Sequence, residues 1–313
     1  IVKNPTGPLV DLDEIPIPDY DIWPKKMLYR PMQGKIRLTV GIETQRGCPF
    51  TCAFCNSPSQ NDFYKKEIGK TYHRRKSIRN IKKELDYLTK KFKPELIYWV
   101  ADTFLAMPEY EWDEFHEMYL DYKIPFWMNT RIETITKKRI KQLEEMNALR
   151  FNIGIEHGNY QFRKEVILRR TTNERLIKQF KVFEGYSVPV VANIIIGYPG
   201  EDEKLIRDSI EFVRKIALYF DAIQVFIFAP YHGTPLRTKS INEGYLKGDE
   251  IVNAGLISGS ILNSPHWTNE RLKSIQRTFP LYVKLPKKYY TDILRAENFD
   301  EKGQKIFNDL VEI

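Results

Sequence analysis

The chain has 313 residues, of which 42% are hydrophobic and 29% charged, a balance that supports a sizeable core and excludes a disordered chain. No apolar run approaches the ~18 residues a membrane-spanning helix needs, so no span is expected. The net charge of +8, from 49 Lys and Arg against 41 Asp and Glu, is a mild excess spread along the chain, which reads as a lysine-rich solvated surface and makes a nucleic-acid partner unexpected.

Residues 1–35 are rich in proline and lack periodicity, which predicts an extended linker. Arg37–Ile42 is an apolar run with β-branched residues and predicts the first strand. Ser77–Phe92 carries apolar residues at Ile78, Ile81, Leu85, Leu88 and Phe92, a helical spacing that breaks at Pro94. Leu96–Val100 reads as a strand, Tyr110–Tyr122 as a helix, Phe126–Asn129 as a strand and Lys137–Met146 as a helix capped by Thr136. Arg150–Ile155 is the next strand. Helical stretches follow at Phe162–Leu168 and Asn173–Glu184, the second ended by Gly185. Val188–Ile196 and Ala222–Phe228 are strands that flank a helix over Glu201–Tyr219. Beyond residue 231 helices are predicted over Asn269–Pro280, Lys287–Glu297 and Lys302–Val311.

Six strands alternate with five helices, which implies an α/β fold with a parallel sheet and right-handed crossovers. An open (β/α)6 partial TIM barrel with a C-terminal helical subdomain fits that count; a doubly wound sheet is the other arrangement. In barrels of this kind chemistry gathers where strands run into the following loops.

The three cysteines, Cys48, Cys52 and Cys55, stand together just after the first strand, spaced C-x3-C-x2-C. An odd number so close is no disulfide framework, and such usage points to a reducing, cytoplasmic compartment. Clustered thiolates suit a metal. A zinc site or a ferredoxin-type cluster would each need a fourth ligand, which no paired histidine spacing offers. A [4Fe–4S] cluster on three cysteines leaves one iron open to bind substrate atoms.

The segment Arg46-Gly47-Cys48-Pro49-Phe50-Thr51-Cys52-Ala53-Phe54-Cys55 resembles the cluster loop of the radical S-adenosylmethionine (SAM) enzymes. The resemblance implies a [4Fe–4S] cluster on Cys48, Cys52 and Cys55 whose open iron chelates SAM. It implies one-electron cleavage of SAM to methionine and a 5′-deoxyadenosyl radical that abstracts hydrogen from a substrate carbon. Phe54 would touch the adenine. Asp102, alone where related proteins often carry a pair of carboxylates, would accept from the SAM ammonium. Asn129 and Arg131 would reach its carboxylate or the substrate. Glu156 would contact the ribose, with His157 a departure from the usual Ser, and Arg169 would add a contact. Asn193, Ile196 and Gly197, in Asn193-Ile194-Ile195-Ile196-Gly197-Tyr198-Pro199-Gly200, would line the adenine. Tyr231 and His232, in Pro230-Tyr231-His232-Gly233-Thr234, would border a substrate cavity. No catalytic acid or base is assigned.

Leu12-Asp13-Glu14-Ile15-Pro16-Ile17-Pro18-Asp19 and the tail Phe279-Pro280-Leu281-Tyr282-Val283-Lys284-Leu285-Pro286 resemble the cobalamin-dependent branch of that family. This divides the chain into a linker (1–35), a radical SAM core (36–230) and a C-terminal helical region (231–313). It implies a cobalamin bound mainly by a domain preceding residue 1, and methyl transfer to an unidentified small molecule, with flavodoxin or ferredoxin as reductant. The alternatives are a radical SAM rearrangement or cyclisation without cobalamin, and a non-catalytic iron–sulfur module. Three cysteines leave no ligands for a second cysteine-held cluster, which argues against methylthiotransferases.

Overall fold

The computed structural model describes residues 4–252 and 259–313. Two short 3₁₀ turns (Tyr20–Ile22 and Lys25–Leu28) lead into strand β1 (Tyr29–Met32), which pairs antiparallel with β2 (Lys35–Glu43). Strand β3 (Gln45–Arg46) opens the cysteine loop, helix α1 (Asn56–Ile68) closes it, and β4 (Arg74–Arg75) pairs back on β3. Regular alternation follows through α2 (Ile78–Phe92), β5 (Leu96–Val100), α3 (Glu109–Tyr119), β6 (Phe126–Thr130), α4 (Lys137–Glu145) and β7 (Ala148–Glu156). It continues through α5 (Tyr160–Glu165), α6 (Asn173–Phe180), β8 (Val190–Ile196), α7 (Glu203–Ile216) and β9 (Ala222–Ile227). Helices α8 (Pro235–Asn242), α9 (Asn269–Lys284), α10 (Tyr290–Ala296) and α11 (Glu301–Val311) complete the chain.

The seven-stranded sheet runs in the order β1-β2-β5-β6-β7-β8-β9. Ladders β2–β5, β5–β6, β6–β7 and β8–β9 are parallel, as crossover helices require. Apart from the antiparallel edge β1, the strands are the six expected, in sequence order. This is the open (β/α)6 partial-barrel class. Among the described residues no helix is long and apolar enough to cross a membrane.

The chain divides into two compact units. One comprises Ile1–Phe50, Ser57–Ile153 and Val182–Pro189; the other comprises Thr51–Asn56, Gly154–Lys181 and Val190–Ile313. In the first, strand alternation sends Val40, Ile42, Ile97, Trp99, Phe126 and Met128 into a core sealed by α2 and α3. Trp99 anchors it, stacked on Phe104 at 5.7 Å and edge-on to Phe115 and Tyr119. Trp99 and Trp112 are thus core residues. Trp127 lies on the other face of the sheet, stacked on Tyr98 with ring centroids 3.8 Å apart.

In the second unit, α7 buries Ile206, Ile210, Phe212, Val213 and Ile216, and α9 buries Leu272, Ile275 and Phe279. Helix α9 does not end at Pro280 as expected but runs on to Lys284. Leu281, Tyr282 and Val283 are buried, and Arg214 Nη1 donates to the carbonyls of Val283 (3.2 Å) and Leu285 (2.7 Å). That packing offsets the ~3 kcal/mol an interior proline costs a helix. Helix α5 is shorter than expected because Leu168 takes a left-handed φ of +61°, which turns the chain so that the Ile167 carbonyl accepts from the Ala53 N–H (3.0 Å).

Candidate functional site

Within the first unit, the turn into the cysteine loop is set by Gly47, whose φ is +77°. A β-carbon there would stand 2.9 Å from the Tyr72 ring and 3.1 Å from the His73 backbone, so no larger residue fits unshifted. Cys48 is buried, its Sγ 3.2 Å from Thr103 Oγ1, and its carbonyl accepts from Asn61 Nδ2 (2.8 Å). Asn61 Oδ1 in turn accepts from the His73 N–H (2.9 Å), so one α1 side chain ties the loop to the ribbon. Gln45 Nε2 holds the Thr103 carbonyl at 2.7 Å.

Beside Thr103, at the end of β5, Asp102 is exposed and its Oδ2 accepts from Ser57 Oγ (2.8 Å). The expected Asp102 position therefore neighbours Cys48 through Thr103. Asn129, at the end of β6, is engaged on both sides: its Nδ2 donates to Tyr98 Oη (3.2 Å) and its Oδ1 accepts from Asn152 Nδ2 (3.1 Å). Arg131 is buried, ion-paired to Glu133 (2.6 Å), and its guanidinium lies 3.9 Å over the Phe50 ring in the cysteine loop. Arg131 thus braces the loop, and any carboxylate it met would have to compete with Glu133.

Within the second unit, Cys52 is buried and Cys55 half-buried, with the Cys55 N–H donating to the Cys52 carbonyl (3.1 Å). Ala53 is clamped on both sides, its N–H donating to Ile167 O (3.0 Å) and its carbonyl accepting from the Leu236 N–H (3.1 Å). Phe54 is half-buried against Tyr198, ring centroids 6.3 Å apart.

Glu156 ends β7 with a left-handed φ of +69°, a conformation that costs a non-glycine residue about 1–3 kcal/mol. Arg169 meets it there, Nη1 lying 3.5 Å from Glu156 Oε1 and donating to the Gly154 carbonyl at 2.5 Å. Two residues expected at the site separately are thus brought together. His157, the departure from the usual Ser, is fully buried. Its Nδ1 accepts from the Asn159 N–H (3.0 Å), so the proton sits on Nε2, which donates to Glu201 Oε1 (3.0 Å). Glu201 Oε2 accepts from the N–H groups of Gly197 and Tyr198. Sequence reasoning missed Glu201; the only cue was a carboxylate directly after the Pro199-Gly200 turn.

Ile196 is fully buried. Gly197, at φ +81°, turns its Cβ position toward the Leu272 methyl groups of α9, about 3.1 Å away, and its N–H is taken by Glu201. Asn193 Oδ1 is buried with no hydrogen-bond partner among the described residues. Tyr231 and His232 are exposed, on a loop held from beneath by buried Arg237, whose Nη1 donates to the Pro230 carbonyl (3.0 Å). Tyr198, not singled out in the sequence, is completely buried. Burial holds its phenol well above the ordinary pKa, with Glu156 and Glu201 pushing the same way, so the hydroxyl keeps its proton.

Among the described residues no three His, Cys, Asp or Glu side chains are gathered to hold a single metal ion. In the first unit Cys48 is tied by Asn61, with the Thr103 hydroxyl against its thiol; in the second, the stretch from Cys52 to Cys55 is held at Ala53 by Ile167 and Leu236. Soft thiols are the donor type that suits an iron–sulfur centre.

The chain is 27% identical, over 95% of its length, to an uncharacterized methyltransferase of Pyrococcus horikoshii, of which it spans 62%. It is 25% identical over 209 residues to the ribosomal protein uS12 methylthiotransferase RimO of Thermotoga petrophila, matching 62% of this chain and 45% of that one. It thus spans less than two thirds of either relative. The cobalamin-dependent SAM radical enzyme OxsB, in its structure with aqua-cobalamin, superposes with a TM-score of 0.54 at 17% identity, over 87% of this chain and 45% of that one. That likeness shows the same fold. The family model described as the Radical SAM superfamily matches residues 42–213, more than half of the chain, with the cysteine loop inside it. This chain belongs to the radical SAM superfamily.

Proposed function

We propose that this chain is the SAM-cleaving part of a cobalamin-dependent radical methyltransferase. The observation that carries the reading is the loop holding Cys48, Cys52 and Cys55 at the C-terminal end of β2, inside the matched segment. The cobalamin and methyl-transfer elements are supported by the fold shared with OxsB and by the name of the Pyrococcus relative. The RimO relative supports methylthio transfer as a second reading, since its second cysteine-held cluster, like a cobalamin site, would draw on residues outside these 313.

When bound, the cluster supplies the electron that cleaves SAM to methionine and a 5′-deoxyadenosyl radical, which takes a hydrogen atom from a substrate carbon. The chain's own residues hold and orient the reactants. Cys48, Cys52 and Cys55 would hold the cluster through their thiols. Asp102 has an exposed carboxylate beside Thr103 and accepts from the SAM ammonium. Glu156, fixed by Arg169, presents its carboxylate to the ribose hydroxyls. Phe54 and Ile196 would pack the adenine, and Asn193 Oδ1, buried without a hydrogen-bond partner among the described residues, would accept from its amino group. Tyr231 and His232, both exposed, border the substrate side. In this reading cobalamin would carry the methyl group, and flavodoxin or ferredoxin would deliver the electron.

The test is anaerobic. The native full-length protein is purified without oxygen, its iron quantified and its extracted small molecules read by mass spectrometry. It is then given SAM and dithionite. About four irons per chain, 5′-deoxyadenosine and near-stoichiometric cobalamin are expected. Iron and 5′-deoxyadenosine without cobalamin would leave hydrogen abstraction standing and remove methyl transfer. Iron without 5′-deoxyadenosine would reduce the chain to an electron-transfer or binding module.

A further inference from the structure

Within the first unit, Thr103 stands directly against the sulfur of Cys48, and the chemistry above gives its hydroxyl no task. Thr103 is 2% exposed and Cys48 8%, with Oγ1 and Sγ 3.2 Å apart. Among the described residues that sulfur is the only hydrogen-bond partner of the Thr103 hydroxyl. The contact is held from both sides. Gln45 Nε2 (2.7 Å) and the Ala106 N–H (2.9 Å) donate to the Thr103 carbonyl, and the next N–H, that of Phe104, donates to the Asn129 carbonyl (2.9 Å). Branching at Cβ then leaves the threonine side chain few rotamers. Across the contact, Asn61 Nδ2 holds the Cys48 carbonyl at 2.8 Å. Valine has the same shape, but only a hydroxyl can offer the sulfur a proton. In the free thiol either atom can donate. Metal ligation takes the thiol proton away, so the sulfur can then only accept and the hydroxyl must donate.

We propose that Thr103 Oγ1 donates a hydrogen bond to the Cys48 thiolate of the iron–sulfur centre and thereby raises its reduction potential. The proposal rests on the cluster reading above. Reduction adds negative charge that the ligating sulfurs share, so a donor fixed on one of them favours the reduced state; such bonds are one of the protein's levers on potential. The flanking Ala101, Phe104 and Leu105 are buried as well, so the hydroxyl dipole acts at low dielectric. Asp102, the intervening exposed residue, turns its carboxylate to Ser57 Oγ instead (2.8 Å). Adjacent residues of one turn thus serve different groups, the carboxylate outward and the hydroxyl on sulfur.

The experiment compares wild type with Thr103→Val and Thr103→Ser, each as the full-length protein reconstituted anaerobically with iron and sulfide and measured without SAM. Iron content, a spectroelectrochemical midpoint and pulsed-EPR coupling of the reduced cluster to exchangeable protons, in H2O against D2O, are the readouts. Equal iron loading is expected. At a fixed applied potential Thr103→Val should show roughly tenfold less reduced cluster, a shift of ~59 mV to more negative potential for a one-electron couple. Thr103→Ser keeps the hydroxyl and should stay near the wild-type midpoint. A strong exchangeable-proton coupling should be present in wild type and Thr103→Ser and absent from Thr103→Val. A merely structural role would change iron content or melting temperature and leave midpoint and coupling alone at equal loading. If Thr103→Val loads poorly, the coupling in wild type decides: its presence supports the proposal and its absence overturns it. Equal loading with unchanged midpoint and coupling also overturns it and leaves the cluster reading intact. Failure of wild type to bind iron at all overturns both.

Discussion

Arg169 Nη1 lies 3.5 Å from Glu156 Oε1 while donating to the Gly154 carbonyl, so one guanidinium fixes both the last turn of β7 and the carboxylate that ends it. Both side chains are nearly buried, which makes the pair costly to break from one side. Arg169→Met should lower stability by about 3 kcal/mol, read as a drop in the denaturant midpoint. Gly154→Ala should act on the same carboxylate from the other side, because a β-carbon at Gly154 would overlap it. In the loaded enzyme both changes should weaken SAM binding. An Arg169→Met protein as stable as wild type would show that Glu156 is held by other contacts.

The carboxylate of Glu201 collects three donors: the imidazole of His157 and the backbone N–H groups of Gly197 and Tyr198. Glu201→Ala would leave these donors buried without partners, at about 1–3 kcal/mol each. A loss of about 3 kcal/mol or more in chemical denaturation is expected. Glu201→Gln should recover part of it, because its amide oxygen can keep the Gly197 and Tyr198 N–H groups while its NH2 faces the His157 Nε2–H. A neutral outcome for Glu201→Ala would mean that water replaces the carboxylate.

Replacing Cys48, Cys52 or Cys55 singly by Ser should strip most of the iron from anaerobically reconstituted protein and abolish 5′-deoxyadenosine formation. Gly47→Ala keeps all three thiols but forces the turn against Tyr72 and the His73 backbone. Its iron content should fall partway, with secondary structure by circular dichroism unchanged. Full iron retention in any Cys→Ser variant would remove that cysteine from the ligand set.

The acid response should report the Arg75–Glu111 pair, which joins β4 to α3 at 2.6 and 2.9 Å. Hydrogen bonding to Arg75 holds the Glu111 carboxyl below its ordinary value of 4.5. A carboxyl depressed in the folded state adds stability at pH above its unfolded value and loses it as pH falls through the folded one. Stability should therefore decline below about pH 4.5, and Glu111→Gln should flatten that decline at a neutral-pH cost of about 1 kcal/mol or less, the pair being partly exposed. A Glu111→Gln protein with an unchanged acid profile would assign the loss to other carboxylates.

Local order was legible where one physical rule dominated. Thr136 caps its helix as expected, its side chain accepting from Arg139, and Ser77, expected as the first helical residue, instead caps α2 by accepting from Asn80, because short polar side chains satisfy N–H groups that a helix start cannot. Leu96–Val100 has the predicted bounds because apolar residues between a proline break and a polar turn leave the chain little choice. Helix α1 escaped notice because only Ser57 is buried along it, so no apolar stripe betrays it; its work is done by Asn61 and Ser57, which reach back to Cys48 and Asp102. Strand β1 and the β3–β4 ribbon escaped because short strands earn their hydrogen bonds only once a partner is adjacent.

The sequence by itself determined the alternation of strands and helices, the cysteine triad and the superfamily, because periodicity and ligand spacing are local properties of a chain. Only the tertiary structure decided how the functional side chains are held. It paired Arg169 with Glu156, committed Arg131 to Glu133 and Phe50, made His157 an internal donor to Glu201 and left the Tyr198 hydroxyl buried without a hydrogen-bond partner among the described residues. Apart from the Arg131–Glu133 pair, those contacts join residues distant in sequence. Their geometry is set by which strands lie side by side and what packs above them, which no local pattern encodes.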